Sequence, residues 1–162
     1  MNEFNLRVAV LDDKKQLDEI FREELEFHKS ILPNFFKIPE IVIDEQWLNS
    51  ILTNKNTFLV VSDNNGTIIG AILYKIDTNP DDAIYKERKF GYIEELIVKA
   101  LFRRKGIGNK LLNYAINDLK TRDIIDIELH VWENNTVGQK FFKKHQFKTI
   151  QRRMRLNLQE KK

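Results

Sequence analysis

The stretch LFRRKGIGNKLL, residues 101–112, sets two glycines within three positions, behind three consecutive basic residues and ahead of a helical pattern. A glycine inside a helix costs about 1 kcal/mol relative to alanine, so two at a helix start serve some other purpose. Bare backbone and positive charge there suit an anion. The first N–H groups of a helix lack internal partners and carry the positive end of its dipole. A dinucleotide fingerprint would need a third glycine where Leu111 stands, and a nucleoside-triphosphate loop would close on Gly-Lys-Ser/Thr; neither is present. The pattern that is met is Arg-x-x-Gly-x-Gly, by Arg103, Gly106 and Gly108, between GYIEELIV and an apolar helix. Taken alone, the same residues also fit a solvated basic loop with glycines at a tight turn.

Outward from this loop the chain alternates strands and helices. Residues 6–10 read as a first strand, and Asp12 or Asp13 caps a helix running to about His28 with Leu17, Ile20, Phe21, Leu25 and His28 on one stripe. SILPNFFKIPE is a loop, and Asp44 caps a second helix carrying Trp47, Leu48, Ile51 and Leu52. TFLVVSD and TIIGAILYKI are β-branched runs joined by Asn64-Asn65-Gly66, a strong hairpin signal. A polar loop is expected over residues 77–89, then the strand GYIEELIV, a helix over 106–120 and the strand IIDIELHV. A helix over 135–145 and a final strand, FKTIQRRMRLNL, complete the order. The pattern predicts one α/β domain over residues 1–162 with a mixed sheet.

Composition narrows the function classes. The 162 residues, 42% of them hydrophobic, suit one compact core. No apolar run reaches the roughly 18 residues of a membrane span, and MNEFNLRVAV does not read as a secretion signal. The absence of cysteine excludes a disulfide, a Cys-ligated metal and a Cys nucleophile, and fits a cytoplasmic setting. The net charge of +3 is too slight to imply nucleic acid. His28, His130 and His145 have no metal-ligand spacing. Charge is uneven along the chain: Lys99, Arg103, Arg104, Lys105 and Lys110 follow the acidic Asp81, Asp82, Glu87, Glu94 and Glu95. One small anionic ligand suits this better than a long polyanion.

Two stretches together resemble the GNAT superfamily of acetyl-CoA-dependent N-acetyltransferases. IEELIVKALFRRKGIGNKLL looks like that family's central strand and pyrophosphate loop, and VWENNTVGQKFFKKHQF like its later asparagine and aromatic motif. The resemblance implies the GNAT fold, a mixed and mostly antiparallel twisted sheet with splayed central strands. It implies that the backbone of Leu96, Ile97 and Val98 holds the pantetheine arm of acetyl-CoA, with the Val98 amide toward the thioester carbonyl. The pyrophosphate falls to the N–H groups of Arg104, Lys105, Gly106, Ile107, Gly108 and Asn109, with Arg103 and Arg104 screening its charge. Asn135 resembles the asparagine that contacts the cofactor, and it also reads as a plain helix N-cap. Phe142 stands where the family usually has a tyrosine that protonates the leaving thiolate, so that role does not carry over. A thiol of pKa about 8.5 can leave as thiolate, or take a proton from water, Tyr92 or Tyr85. Gln146 replaces the usual glycine.

An amine of pKa about 10.4 arrives protonated, and attack on a thioester needs a base. Glu94 is the first candidate, since alternation expects Tyr92, Glu94, Leu96 and Val98 on one face and Glu95 on the other; the same carboxylate also suits a cationic substrate or a lysine. His130 is the second. The expected mechanism is direct transfer to a primary amine in a ternary complex, with the acceptor held by residues 24–36 and 77–90. Acidic residues there favour a cationic amine such as a polyamine, a lysine-like side chain or an aminoglycoside. Phe142 keeps open a rival, a non-catalytic CoA-binding module of the same fold. Family members are often homodimers, although no stretch here marks an interface.

Overall fold

The computed structural model describes residues 4–158. The expected domain span also takes in residues 1–3 and 159–162, which lie outside the described residues. The chain forms two compact units, Met1–His130 and Val131–Lys162. The first holds β1 (Asn5–Val8), α1 (Lys14–Ile31), α2 (Glu45–Thr53), β2 (Thr57–Asn64), β3 (Thr67–Asn79), β4 (Arg88–Val98), α3 (Ile107–Thr121) and β5 (Ile127–Leu129). Short 3-10 turns at Leu11–Asp13 and Ala100–Phe102 precede α1 and α3. The strands lie in one sheet in the order β1-β2-β3-β4-β5. The first three pairings are antiparallel, and β4 with β5 is parallel. The expected mixed, mostly antiparallel sheet is formed.

Each face of the sheet is covered by a different part of the sequence. Leu17, Ile20 and Phe21 of α1 and Leu48 of α2 cluster with Leu59, Val61, Ala71, Leu73 and Ile97 on one face. On the other, α3 buries Ile107, Leu111, Leu112, Ala115 and Leu119. Residues 68–74 of β3 are therefore buried without interruption, as a strand sandwiched on both sides must be. Full burial of each such aliphatic side chain contributes about 1.5–3 kcal/mol.

Local signals account for most element boundaries. Asn64 pairs with Thr67, and Asn65 and Gly66 turn the hairpin with φ of 52° and 83°, the mirror-image turn that Asn-Gly favours. Asp44 caps α2 by accepting the Trp47 N–H at 2.7 Å. Asp13, expected to cap α1, does not: its carboxylate takes the Val10 N–H and both terminal nitrogens of Arg7, at 2.7–2.8 Å. Helix α1 also runs past His28 to Ile31.

Three expectations are corrected. Strands β3 and β4 extend into the anticipated 77–89 loop, leaving only 80–87 between them, because their ladder continues to Asn79↔Arg88. The strand expected over 124–131 contracts to Ile127–Leu129. In the second unit, α4 (Thr136–Lys144) forms, but residues 147–158 make no strand. Their alternation leaves Ile150, Met154, Leu156 and Leu158 exposed. Alternation prepares a strand; only a partner edge stabilises one.

Candidate active site

The site is built on an irregularity in β4. The β3–β4 ladder pairs Ile72↔Leu96 and Leu73↔Glu95, then jumps to Tyr74↔Ile93 and Lys75↔Tyr92. Glu94 is the extra residue of a β-bulge. A bulge puts two residues opposite one and resets the side-chain phase. Leu73 and Lys75 share a face, so Glu95 and Tyr92 share it too, and Glu94 meets Lys75 there at 3.0 Å. Leu96 and Val98 pair with Ile72 and Gly70 and lie on the α3 face. Simple alternation is thereby corrected: Tyr92, Glu94 and Glu95 all face α1, and Leu96 and Val98 turn away.

Beyond the bulge, no strand among the described residues pairs with the β5-side edge of β4. Its parallel pairing with β5 covers Gly91↔Ile127, Tyr92↔Glu128 and Ile93↔Leu129 only, while β4 continues to Val98. The two strands thus part just after Ile93. At the fork the Tyr92 hydroxyl meets His130 Nδ1 at 2.5 Å, with His130 immediately past the end of β5.

The glycine loop follows. Arg104 and Gly106 take positive φ, 62° and 83°, and Gly106 occupies the N-cap of α3 without a side-chain cap. A β-carbon on Gly106 would meet nothing within 4 Å, so the approach to the helix N-terminus is open. The loop is braced from α1. Glu23 accepts the Ala100 N–H at 2.6 Å, and Lys99 lies 3.9 Å from Glu19. Arg103 donates from Nε to the Val98 carbonyl at 2.9 Å, approaches Glu24 at 4.0 Å and lies over the Phe27 ring. Arg103 is thus occupied in holding the loop to the helix, while Arg104 and Lys105 are exposed.

Electrostatics separates the two neighbouring glutamates. Glu95 is pushed up to about 7 by burial, and then by the charges of Glu24 and Glu94. No hydrogen-bond donor or cation meets its carboxylate among the described residues. Glu24, on α1, is raised by burial, against the pull of Arg103. His28 Nε2 lies 3.3 Å from Glu24, and burial lowers its pKa. Glu94 is exposed and committed to Lys75. Burial and then Glu94 raise the Tyr92 phenol. The chemistry available at one fork is therefore a carboxyl that exchanges a proton near neutral pH and a phenol hydrogen-bonded to an imidazole.

The structure brings Glu94 and His130 to this fork and places Leu96, Ile97 and Val98 along the stretch of β4 that leads from it to the loop. In the second unit, Asn135 caps α4 by accepting the Gly138 N–H at 2.8 Å. Phe142 packs edge-on against Phe141 and Phe147, with centroids 5.3 and 5.5 Å away. Sequence reasoning set Glu95 on the face opposite Glu94 and Glu24 in the acceptor region, but gave neither a proton-exchanging role and did not pair Tyr92 with His130. The signal for the first lay in EE itself: two adjacent acids in an otherwise apolar strand cannot both obey alternation, which is how a bulge announces itself.

A model of the acetyltransferase (GNAT) family matches residues 15–147. An N-terminal acetyltransferase complex ARD1 subunit homolog from Dictyostelium discoideum is 33% identical over 103 residues, 63% of this chain and 47% of that protein. A further relative is matched over 22% of its length, so the chain spans less than half of either curated relative. The fold is similar to that of a mutant BH1408 protein from Bacillus halodurans, with a TM-score of 0.91 at 21% identity, covering 95% and 99% of the two chains. It is also similar to a Clostridium acetobutylicum predicted acetyltransferase with acetyl-CoA, with a TM-score of 0.72 at 24% identity, covering 96% and 97%.

Proposed function

The chain belongs to the acetyltransferase (GNAT) family, and from that premise we propose that it transfers an acetyl group from acetyl-CoA to a primary amine, by direct attack in a ternary complex. The observation that carries this reading is Glu95: a half-buried carboxyl with no hydrogen-bond or ion-pair partner among the described residues, raised to about 7 and set on β4 where that strand parts from β5. The family uses acetyl-CoA, and a neighbour of similar fold is described with it.

The residues present fit that donor. The N–H groups of Arg104 to Asn109 belong to the turn and first residues of a helix whose N-cap, Gly106, has no side-chain cap and open space around it, which suits a pyrophosphate. The β5-side edge of β4 at Leu96, Ile97 and Val98 offers backbone groups to an amide-bearing arm, and the Val98 N–H polarises a carbonyl laid against it. Asn135 caps α4, and Phe142 contributes packing to Phe141 and Phe147. Acetyl-CoA supplies an acyl carbon already activated as a thioester. Glu95, rather than Glu94, takes the proton from the acceptor amine, since a base works best with a pKa near the working pH and Glu94 is held by Lys75. His130 acts through its partner Tyr92.

Glu24, Glu94 and Glu95 on one side favour a cationic acceptor. The similarity to an N-terminal acetyltransferase subunit makes a peptide α-amino group the first acceptor to try, with spermidine as a small polyamine. Calorimetric titration with acetyl-CoA, using desulfo-CoA and ATP as controls, tests the donor; thiol release with each amine tests transfer. Binding of acetyl-CoA far tighter than ATP, followed by amine-dependent thiol release, is the expected result. Tight binding without thiol release for any amine would favour the CoA-binding module that Phe142 keeps open, and no binding would overturn both.

A further inference from the structure

Among the described residues of the second unit, 131–158, no side chain is buried, although it carries Trp132, Phe141, Phe142 and Phe147. In its strand-patterned segment Ile150, Met154, Leu156 and Leu158 are 78–92% exposed. A helix and a strand hold together only when their apolar sides are covered. A single chain leaves these side chains uncovered, so their cover comes from outside it. We infer that the cover is a second copy of this chain: residues 147–158 of one protomer add to the outer edge of β5 in the other, and the exchange is reciprocal. This goes beyond the acetyl-transfer reading and does not depend on it.

The receiving edge is the first argument. β5 is the last strand of the sheet, paired with β4 on one side and with no strand among the described residues on the other. Such an edge presents a row of N–H and C=O groups that an extended segment completes. Its apolar side matches as well. A β-carbon on Gly91 would meet Leu119 of α3, so Ile127 and Leu129, paired with Gly91 and Ile93, lie on the α3 face. Positions 150, 154, 156 and 158 share one face of an extended chain, and laid beside β5 they continue that apolar row. Ile125, just before β5, is itself 91% exposed.

Charge selects the partner. Residues 1–130 carry 22 acidic and 18 basic side chains, whereas residues 131–162 carry two acidic and nine basic. The second unit of one copy is therefore drawn to the first unit of another, while two second units facing each other repel. An anionic lipid surface would satisfy the charge but not the hydrogen bonds of an extended backbone. Each copy offers the same uncovered segment and the same strand edge, so a two-fold exchange satisfies both and closes the assembly.

Light scattering on the full-length chain tests the oligomeric state, and cross-linking tests the surface. Twice the 19.3 kDa chain mass is expected for the wild type. Met154→Glu combined with Leu156→Glu should abolish the doubled mass, with the circular dichroism of the folded sheet retained. The chain has no cysteine, so introduced thiols report unambiguously. Ile125→Cys chains, co-expressed in turn with Ile150→Cys, Met154→Cys and Leu158→Cys chains and treated with a short bis-maleimide, should give a cross-link joining one chain of each kind. A wild type of single-chain mass up to its highest soluble concentration would overturn the proposal. So would a dimer that survives both glutamates, or the absence of a mixed cross-link at all three positions. A cross-link at single-chain mass in a chain carrying both cysteines would place residues 147–158 on their own β5, and would overturn the exchange.

Discussion

Replacing Glu95 by glutamine keeps the volume of the side chain and removes its charge, which isolates the electrostatic cost of this carboxyl. Glu24 acts on it from α1 and Glu94 stands beside it on the bulge, while His28 and Arg103 lie next to Glu24. The folded protein holds the Glu95 proton up to about pH 7, whereas an ordinary glutamate releases it near 4.5. Between those values the folded state binds more protons than the unfolded one, so stability is fully present below the lower value and is lost as pH rises through the upper one. A gap of about 2.5 pH units corresponds to about 3 kcal/mol, of which about 2.5 kcal/mol falls between about pH 5 and about pH 8. The variant lacks this dependence. Urea denaturation of both proteins at the two pH values should show the stability difference moving by about 2.5 kcal/mol in favour of Glu95→Gln at the higher pH. Any fixed cost of burying the amide cancels in that comparison. A difference that does not move with pH would refute the assignment of a raised pKa to Glu95. In the same variant, transfer should fall by about 100-fold or more while acetyl-CoA binding is retained.

Gly106→Ala places a β-carbon on left-handed backbone with open space around it, so a loss of about 1–2 kcal/mol in urea denaturation and weaker acetyl-CoA binding by calorimetry are expected. Arg103→Gln removes the bond to the Val98 carbonyl and the approach to Glu24; stability should fall by about 1–2 kcal/mol, with acetyl-CoA binding weakened through the loop rather than through lost phosphate charge. Salt dependence of that binding would distinguish the two, since loss of a direct phosphate contact flattens it. Burial alone would raise the Asp13 pKa, but hydrogen bonds from Arg7 and the Val10 N–H outweigh it and hold it below the usual carboxylate range. Its contribution is present above about pH 4 and lost as pH falls through the depressed value. Asp13→Asn should remove that acid-side dependence and cost about 3 kcal/mol at neutral pH by urea denaturation.

The bulge at Glu94 links fold to chemistry. It turns Glu95 toward α1, where its neighbours are Glu24 and buried apolar side chains and its charge is costly, and leaves Glu94 at the surface with Lys75. Without the extra residue, the register that pairs Glu95 with Leu73 could not coexist with the one that pairs Tyr92 with Lys75. The proton-exchanging carboxyl is thus a product of strand pairing, not of the residue type alone. The brace from α1 through Glu23 and Arg103 ties the glycine loop to the helix that carries Glu24.

Much of this protein was legible along the chain because the governing interactions are local. Asn65-Gly66 fixed the hairpin through the dihedral angles each residue tolerates, and Asp44 and Asn135 marked helix starts through bonds to N–H groups three residues on. The helical stripes of α1 and α3 defined buried faces, and the glycines and basic residues of 103–110 marked an open helix N-terminus. Tertiary structure decided the rest. Asp13 was diverted from its helix by Arg7, and Arg103 from an anion to Val98 and Glu24, by partners that no local rule supplies. Residues 147–158 carried strand alternation but found no partner edge among the described residues. The Glu24–Glu95 repulsion and the Tyr92–His130 bond join residues far apart in sequence, and they exist only because β4 gains one residue and β5 stops at Leu129. Local propensity sets which backbone shapes are cheap; which side chains end up sharing a desolvated space depends on how the strands pair.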